Sequence, residues 1–345
     1  MNQLLLNQSP IPRTGGFQMA DYWVWCPSVI QDDSGRFHMF ASRWPKWLPF
    51  HPGWQTNSEV VRAVADQPEG PYEFQEVVLP ARGAEYWDGR ATHNPRIVRG
   101  PDGFLLFYTG ITHPFPDLQP GDSLAVHDAR YLVTQASKRV GLAMAPTLAG
   151  PWRRLDRPIL ETKPGTFYSF LTSNPAPVVH ADGSAYLMFK SKRYIGNAAS
   201  DMLIGAAVAE HYAGEYRAVS DRPIFGPEQF GVIEDPFVWC RDGNYHMIAK
   251  DMEGTLCGEH HGGLYAVSRD GIQWELGSPK QAYTRAVTWD DGQTQTLGQM
   301  ERASVLFANG QPRCLFAAVG DGPGGFHNMT PVSYTHLTLP TIYSV

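Results

Sequence analysis

One short pattern occurs five times along the chain and constrains its architecture more than any other feature. Each copy opens on one or two polar residues, usually with a proline next, and continues as an apolar strand. The copies are Cys26-Pro27-Ser28-Val29-Ile30, His93-Asn94-Pro95-Arg96-Ile97-Val98, Ser173-Asn174-Pro175-Ala176-Pro177-Val178-Val179, Glu234-Asp235-Pro236-Phe237-Val238-Trp239 and Glu301-Arg302-Ala303-Ser304-Val305-Leu306. A turn follows each copy, such as Asp102-Gly103, Asp182-Gly183, Asp242-Gly243 or Asn309-Gly310, and then a second apolar strand. Asp-Gly and Asn-Gly between apolar runs signal hairpins, because both turn positions must take positive φ. A third strand repeats at residues 60–64, 140–144, 204–208 and 264–267, with a glycine and an aromatic shortly after, as in Gly150-Pro151-Trp152.

A period of roughly 60–80 residues made of strands and turns means sheets arranged radially about an axis. The expected fold is all-β: a five-bladed β-propeller of four-stranded antiparallel blades, its last blade incomplete or closed by the N-terminal segment near residues 4–6. Residues 1–331 read as a single propeller domain. Residues 332–345 match no third strand of the other units and read as a non-native or truncated tail. In an antiparallel blade the start of strand one and the link from strand two to strand three share a face. Those links are long and polar here, whereas the opposite face has tight Asp-Gly turns. The binding site is therefore expected where the links and the leading residues meet.

The 345 residues carry a formal net charge of −6 and no basic stripe, which argues against nucleic acid and anionic membrane as partners. No apolar run reaches membrane-spanning length. The four cysteines (Cys26, Cys240, Cys257 and Cys314) form no C-x-x-C pair, which argues against a zinc site. The first residues lack the basic and apolar parts of a signal peptide. The chain as it stands reads as cytoplasmic, or as secreted or periplasmic if a native leader has been removed. Oligomeric state is left open.

Among the leading residues, Asp235 is the foremost catalytic candidate, since it faces the axis with Glu234, Lys250 and Asp251 expected nearby. Glu301 opens the fifth copy beside Arg302. Asp88 precedes His93 and Asn94. His260 and His261 end the long fourth link, where an imidazole suits a proton donor. Expected substrate contacts are Trp25, Arg43, Trp44, His93, Asn94, Asn174, Lys190, Glu234, Lys250, Asp251 and Arg302. The cations suit hydroxyls or an acidic sugar, and the tryptophans suit a sugar face. No cofactor is required. A calcium or other divalent cation at the axis is considered, without assigned ligands, since no Asp-x-Asp-x-Asp-Gly loop occurs.

Taken in order, the Pro27-Ser28-Val29-Ile30 strand, the Gly141-Leu142-Ala143 and Gly150-Pro151-Trp152 strand and turn, and Glu234-Asp235-Pro236 resemble the five-bladed propeller glycosidases. The nearest likeness is to glycoside hydrolase families 43 and 117, of which the chain reads as a divergent member. The resemblance implies an exo-acting, inverting glycoside hydrolase on a plant or algal oligosaccharide, with an acid and a base about 6.5–9.5 Å apart. It implies that Asp235 is an axial carboxylate, acting as base or as orienter of the pair. Family 117's histidine acid keeps His260 and His261 in view. One departure stands out: family 43 places its water-activating aspartate just before the first blade's proline, where this chain has Cys26. Either Asp21 or another carboxylate takes that role, or the arrangement differs. Two other readings stay open, a phosphate-dependent glycoside phosphorylase using Arg43, Lys190 and Arg302, and a noncatalytic carbohydrate-binding propeller.

Overall fold

The computed structural model describes residues 10–196, 198–322 and 325–333. It is an all-β propeller with four-stranded antiparallel blades. The first blade comprises Tyr22–Gln31, Phe37–Pro45, Glu59–Ala65 and Glu73–Leu79. The second comprises Ala91–Gly100, Gly103–Ile111, Arg139–Ala145 and the two-residue strand Arg153–Arg154. The third comprises Leu171–Val179, Ala185–Lys192, Leu203–Ala209 and Arg217–Ala218. The fourth comprises Ile233–Arg241, Asn244–Asp251, Gly263–Ser268 and Trp274–Tyr283. A last sheet has three strands, Gln299–Ala308, Gln311–Gly322 and Gly325–Ser333. In every sheet the strands pair in chain order.

The first strands of these sheets contact one another in cyclic order, and that of the three-stranded sheet meets both the fourth blade and the first. Apolar cores fill the spaces between successive sheets. Phe40 and Val60 meet Ile97 and Leu106, Phe107 meets Leu187 and Phe189, and Met188 meets Val238 and Met247. Ile248 and Tyr265 meet Val305 and Leu315, and Met39 meets Leu306 and Phe316. The aromatic rings fill wedges that widen outwards. Gly141 and Gly205, at matching places in two third strands, lie where an added Cβ would come within 2.5 Å of the Trp87 or Phe167 ring.

The last sheet has three strands among the described residues. Its third strand runs through Ser333, so residues 332 and 333 pair with Leu315 and Cys314. Residues 334–345 lie outside the described residues, as do residues 4–6 expected to close the sheet. Among the described residues the N-terminal segment meets this sheet at Phe17, whose N–H donates to the Asn328 carbonyl at 2.7 Å and whose carbonyl accepts from Asn328 N at 3.1 Å. Its side chain is buried with Phe37, Met39 and Phe316.

Two short helices sit inside long links. Phe50–Asn57 joins strands two and three of the first blade, and Ala129–Ala136 does so in the second. Asp128 caps the latter, accepting from Arg130 N at 2.8 Å. The helices touch through Thr134 Oγ1, which donates to Gln55 Oε1 at 2.8 Å, and through His51 against Tyr131. No helix among the described residues is long and apolar enough to cross a membrane.

Candidate active site

The site begins with a bulge repeated in every first strand. Cys26, Asn94, Asn174, Asp235 and Arg302 all have positive φ, between 48° and 60°. The ladder to the second strand slips at each of them. Proline explains four cases: it has no N–H for the ladder, so pairing breaks there and the preceding residue takes the bulge conformation. Asn and Asp tolerate that left-handed geometry better than other side chains with a Cβ. Cys26 and Arg302 adopt it without that advantage.

The five bulge residues are linked from blade to blade. Cys26 Sγ donates to Asn94 Oδ1 at 3.0 Å, Asn94 Nδ2 to Asn174 Oδ1 at 2.7 Å, and Asn174 Nδ2 to Asp235 Oδ1 at 2.7 Å. Arg302 completes the series, its Nη1 donating to Asp235 Oδ1 at 3.1 Å and its backbone N to Oδ2 at 3.2 Å. All five are buried. Burial pushes the Cys26 thiol up to about 12, against the opposing pull of Arg302, so it stays protonated. A protonated thiol cannot act as the base at this position. His93 lies beside it, sharing a hydrogen bond with Ser58 Oγ at 2.8 Å and stacked on Trp54. Burial, reinforced by Arg302 and Lys138, holds its imidazole well below the ordinary range and therefore neutral.

Residues one place before two of the bulges carry a second set of charges. Lys250 Nζ lies 2.8 Å from Glu234 Oε2 and 2.9 Å from Glu301 Oε1. Lys190 holds the other Glu234 oxygen at 2.5 Å. Burial opposes ionisation of Glu234, but Lys190 and Lys250 outweigh it and hold the carboxyl well below the usual carboxylate range. Glu301 moves the other way. Burial raises it, Lys250 offsets part of that, and Glu234 and Asp235 raise it further. Lys250 is raised: burial works against its charge, and the attraction of Glu234, Glu301 and Asp235 prevails. Burial and unequal cation contact thus drive two neighbouring carboxyls in opposite directions.

Glu234, Glu301, Asp235 and Lys190 line a pocket of about 330 Å³. One wall is aromatic, with Trp25, Trp44 and Phe50, and the helices contribute His51, Trp54, Tyr131 and Gln135. Lys138, Lys190, Lys192 and Arg302 line it alongside Glu234, Asp235 and Glu301. A larger cavity of about 700 Å³ lies against the outer strands of the fourth blade and touches none of the leading residues.

The structure thus brings Trp25, Trp44, His93, Asn94, Asn174, Lys190, Glu234, Asp235, Glu301 and Arg302 together, with Lys250 buried behind the carboxylates. Other expected members are placed elsewhere. Asp88 is fully buried, bound by Arg82 at 2.7 Å, the Tyr108 hydroxyl at 2.7 Å and Arg154 at 3.3 Å, so it braces the second blade. Arg43 pairs with Glu59 at 2.7 Å and stacks on Tyr22 and Phe74, outside the pocket. Asp251 accepts four backbone N–H bonds, from Glu253, Gly254, Leu256 and Cys257, and shapes the fourth link rather than facing substrate. His260 and His261 stack on each other and neither lines the pocket; His260 is exposed. Asp21 is exposed and does not replace Cys26.

Lys138 and Lys192, with Phe50, His51, Tyr131, Gln135 and Gln299, are pocket members that sequence reasoning missed, and Lys138 is the most deeply buried of the cations among them. Lys138 follows the Ala129–Ala136 helix, in the link between strands two and three of the second blade. The Asp128 cap was the available signal for that helix. A divalent cation does not fit the axis. Asp235, the one carboxylate in the ring, is already bound by a guanidinium and an amide, and no group of three or more His, Cys, Asp or Glu converges among the described residues.

Comparison with solved structures shows the same fold. Zg3597, a family 117 glycoside hydrolase from the marine bacterium Zobellia galactanivorans, superposes with a TM-score of 0.60 at 14% identity, over 95% of this chain and 88% of that one. A thermostable family-43 glycoside hydrolase gives 0.58 at 14% identity, over 94% and 90%. A further glycoside hydrolase gives 0.65 at 13% identity, over 96% and 94%. At these identities the likeness is one of fold. No family model matches the chain, and no curated protein does.

Proposed function

We propose that this chain is a five-bladed propeller, its three-stranded sheet serving as the fifth blade, and that it acts as an exo-acting glycoside hydrolase on a plant or algal oligosaccharide. The observation that carries the reading is the Glu234–Lys250–Glu301 bridge, in which one carboxyl is driven towards its ionised form and its neighbour towards its protonated form. Glu301 is the proton donor to the leaving oxygen and Glu234 the ionised partner. Asp235 orients the site through Asn174 and Arg302. The pocket is walled on one side by the two helices, which suits the end of a glycan chain, and its aromatic wall suits a sugar face.

Inversion, implied by the family resemblance, needs about 6.5–9.5 Å between the carboxyls to admit water. Lys250 Nζ contacts one oxygen of each carboxyl, at 2.8 Å from Glu234 and 2.9 Å from Glu301, so the two groups share one site. A retaining course would use a pair about 5–5.5 Å apart instead. The anomer of the first product, read by NMR, separates the two courses.

The specific observation favouring a noncatalytic sugar binder is the protonated Cys26 at the base position together with the Asp235–Arg302 pair. A screen of nitrophenyl glycosides and oligosaccharides, with and without inorganic phosphate, decides among hydrolase, phosphorylase and binder. Glu301→Gln and Glu234→Gln are each expected to lower turnover by about 10²–10⁴-fold while sugar binding persists. Full activity in both variants sinks the assignment. Binding without turnover in the unaltered chain leaves the binder.

A further inference from the structure

Lys190 and Lys192 lie two residues apart at the end of one strand and therefore project to the same face of its sheet. Both line the pocket, with Lys138 and Arg302. Lys190 is matched by Glu234. Lys138 and Lys192 make no ion pair among the described residues. Lys138 is only 4% exposed. Its ammonium lies 4.1 Å from the centroid of the Trp54 ring and has no hydrogen-bond acceptor among the described residues. Burial, with Lys190 and Lys192 close by, holds it well below the ordinary ammonium range. Arg302 adds two further donors, Nε and Nη2, that have no partner among the described residues.

Buried donors without acceptors are costly. Here they gather in a pocket, where a ligand can supply what the protein does not. Sugar hydroxyls bring acceptors but no charge; a carboxylate or a sulfate brings both. We propose that the sugar seated in this pocket carries a carboxylate or a sulfate ester, bound by Lys138 and Lys192. The inference rests on the glycan reading above and adds the chemical class of the substrate. Inorganic phosphate shares the anionic chemistry, but the partly exposed rings of Phe50 and Trp54 in the same pocket suit a sugar body rather than a bare ion.

Tryptophan fluorescence of the intact chain reports occupancy independently of turnover, since Trp44 and Trp54 line the pocket. Glucuronate, galacturonate and galactose 6-sulfate are titrated against glucose and galactose, with inorganic phosphate in a separate arm. The acidic sugars are expected to bind about tenfold tighter than the neutral ones at low ionic strength, and the advantage shrinks with added salt. Lys138→Met and Lys192→Met each abolish that advantage. The half-buried Lys192 provides the second test if Lys138→Met fails to fold. Equal affinity for acidic and neutral sugars, or a preference that survives both substitutions, overturns the inference and leaves the glycan site standing. A pocket that binds neither kind of sugar overturns the glycan reading as well. Phosphate binding as tight as that of the acidic sugars, and lost in the same variants, overturns the sugar-borne anion in favour of free phosphate.

Discussion

Lys250 is 3% exposed and touches two carboxylates, so its removal leaves both without the cation that holds them together. Lys250→Met is expected to cost about 3–5 kcal/mol near neutral pH. The sign of the pH dependence follows from the carboxyls. In the intact chain Glu234 is depressed, so its contribution is present above its unfolded pKa and lost as pH falls through the folded value. Glu301 is raised, so its contribution is fully present below its unfolded pKa and lost as pH rises through the folded one. Without the ammonium Glu301 loses the charge that offsets its burial and favours protonation, while Lys190 still holds Glu234, and the deficit of the variant shrinks in acid. Urea unfolding at about pH 7.5 and about pH 5 measures this, and a deficit independent of pH contradicts it. Cys26 gives a second residue-level test. Its role is to donate to Asn94, which a serine hydroxyl also does, so Cys26→Ser should keep turnover within about threefold and stability within about 1 kcal/mol. A loss of about 100-fold in kcat would bring the thiol into the chemistry.

At the scale of elements, the first-strand bulges and the long links divide the labour. The bulges turn five side chains towards the axis, and the links supply the pocket walls. Asp251 ends the second strand of the fourth blade and gathers the link that follows it through four N–H bonds. Asp251→Ala is expected to cost about 2–3 kcal/mol. Hydrogen exchange should quicken at the amides of Glu253, Gly254, Leu256 and Cys257, and unchanged protection there would rule out this organising role. Sequence patterns made the strands and Asp-Gly turns legible because hydrophobic alternation and turn chemistry are local. They set Asp251 beside the axial Asp235 as a substrate contact, whereas it organises a loop, because both are aspartates with lysines nearby. What separates them is which atoms lie opposite, and that depends on other blades.

For the whole molecule the question is how the circle of sheets is closed. The first and last sheets share a core that includes Met39, Leu306, Phe316 and Phe17, and Phe17 also pairs with Asn328 on the outer edge of the last sheet. Phe17→Ala should cost about 3–5 kcal/mol through the lost burial and the cavity left behind. Because every core joins two sheets, unfolding should remain a single transition in chemical denaturation. A separate early transition would mean that the last sheet folds apart from the rest.

The sequence alone determined the all-β repeat, the hairpin turns, the face on which the long links meet the leading residues, and the identity of the five leading residues. These follow from strand alternation, glycine turns and prolines that break ladders, each set by a few neighbouring residues. Only the tertiary structure decided the charge partners: Arg302 with Asp235 across 67 positions, Arg43 withdrawn to Glu59, Lys250 shared by Glu234 and Glu301, and Lys138 buried against Trp54. Coulomb energy and desolvation depend on distance in space, and chain order fixes that distance only after the sheets have closed around their axis.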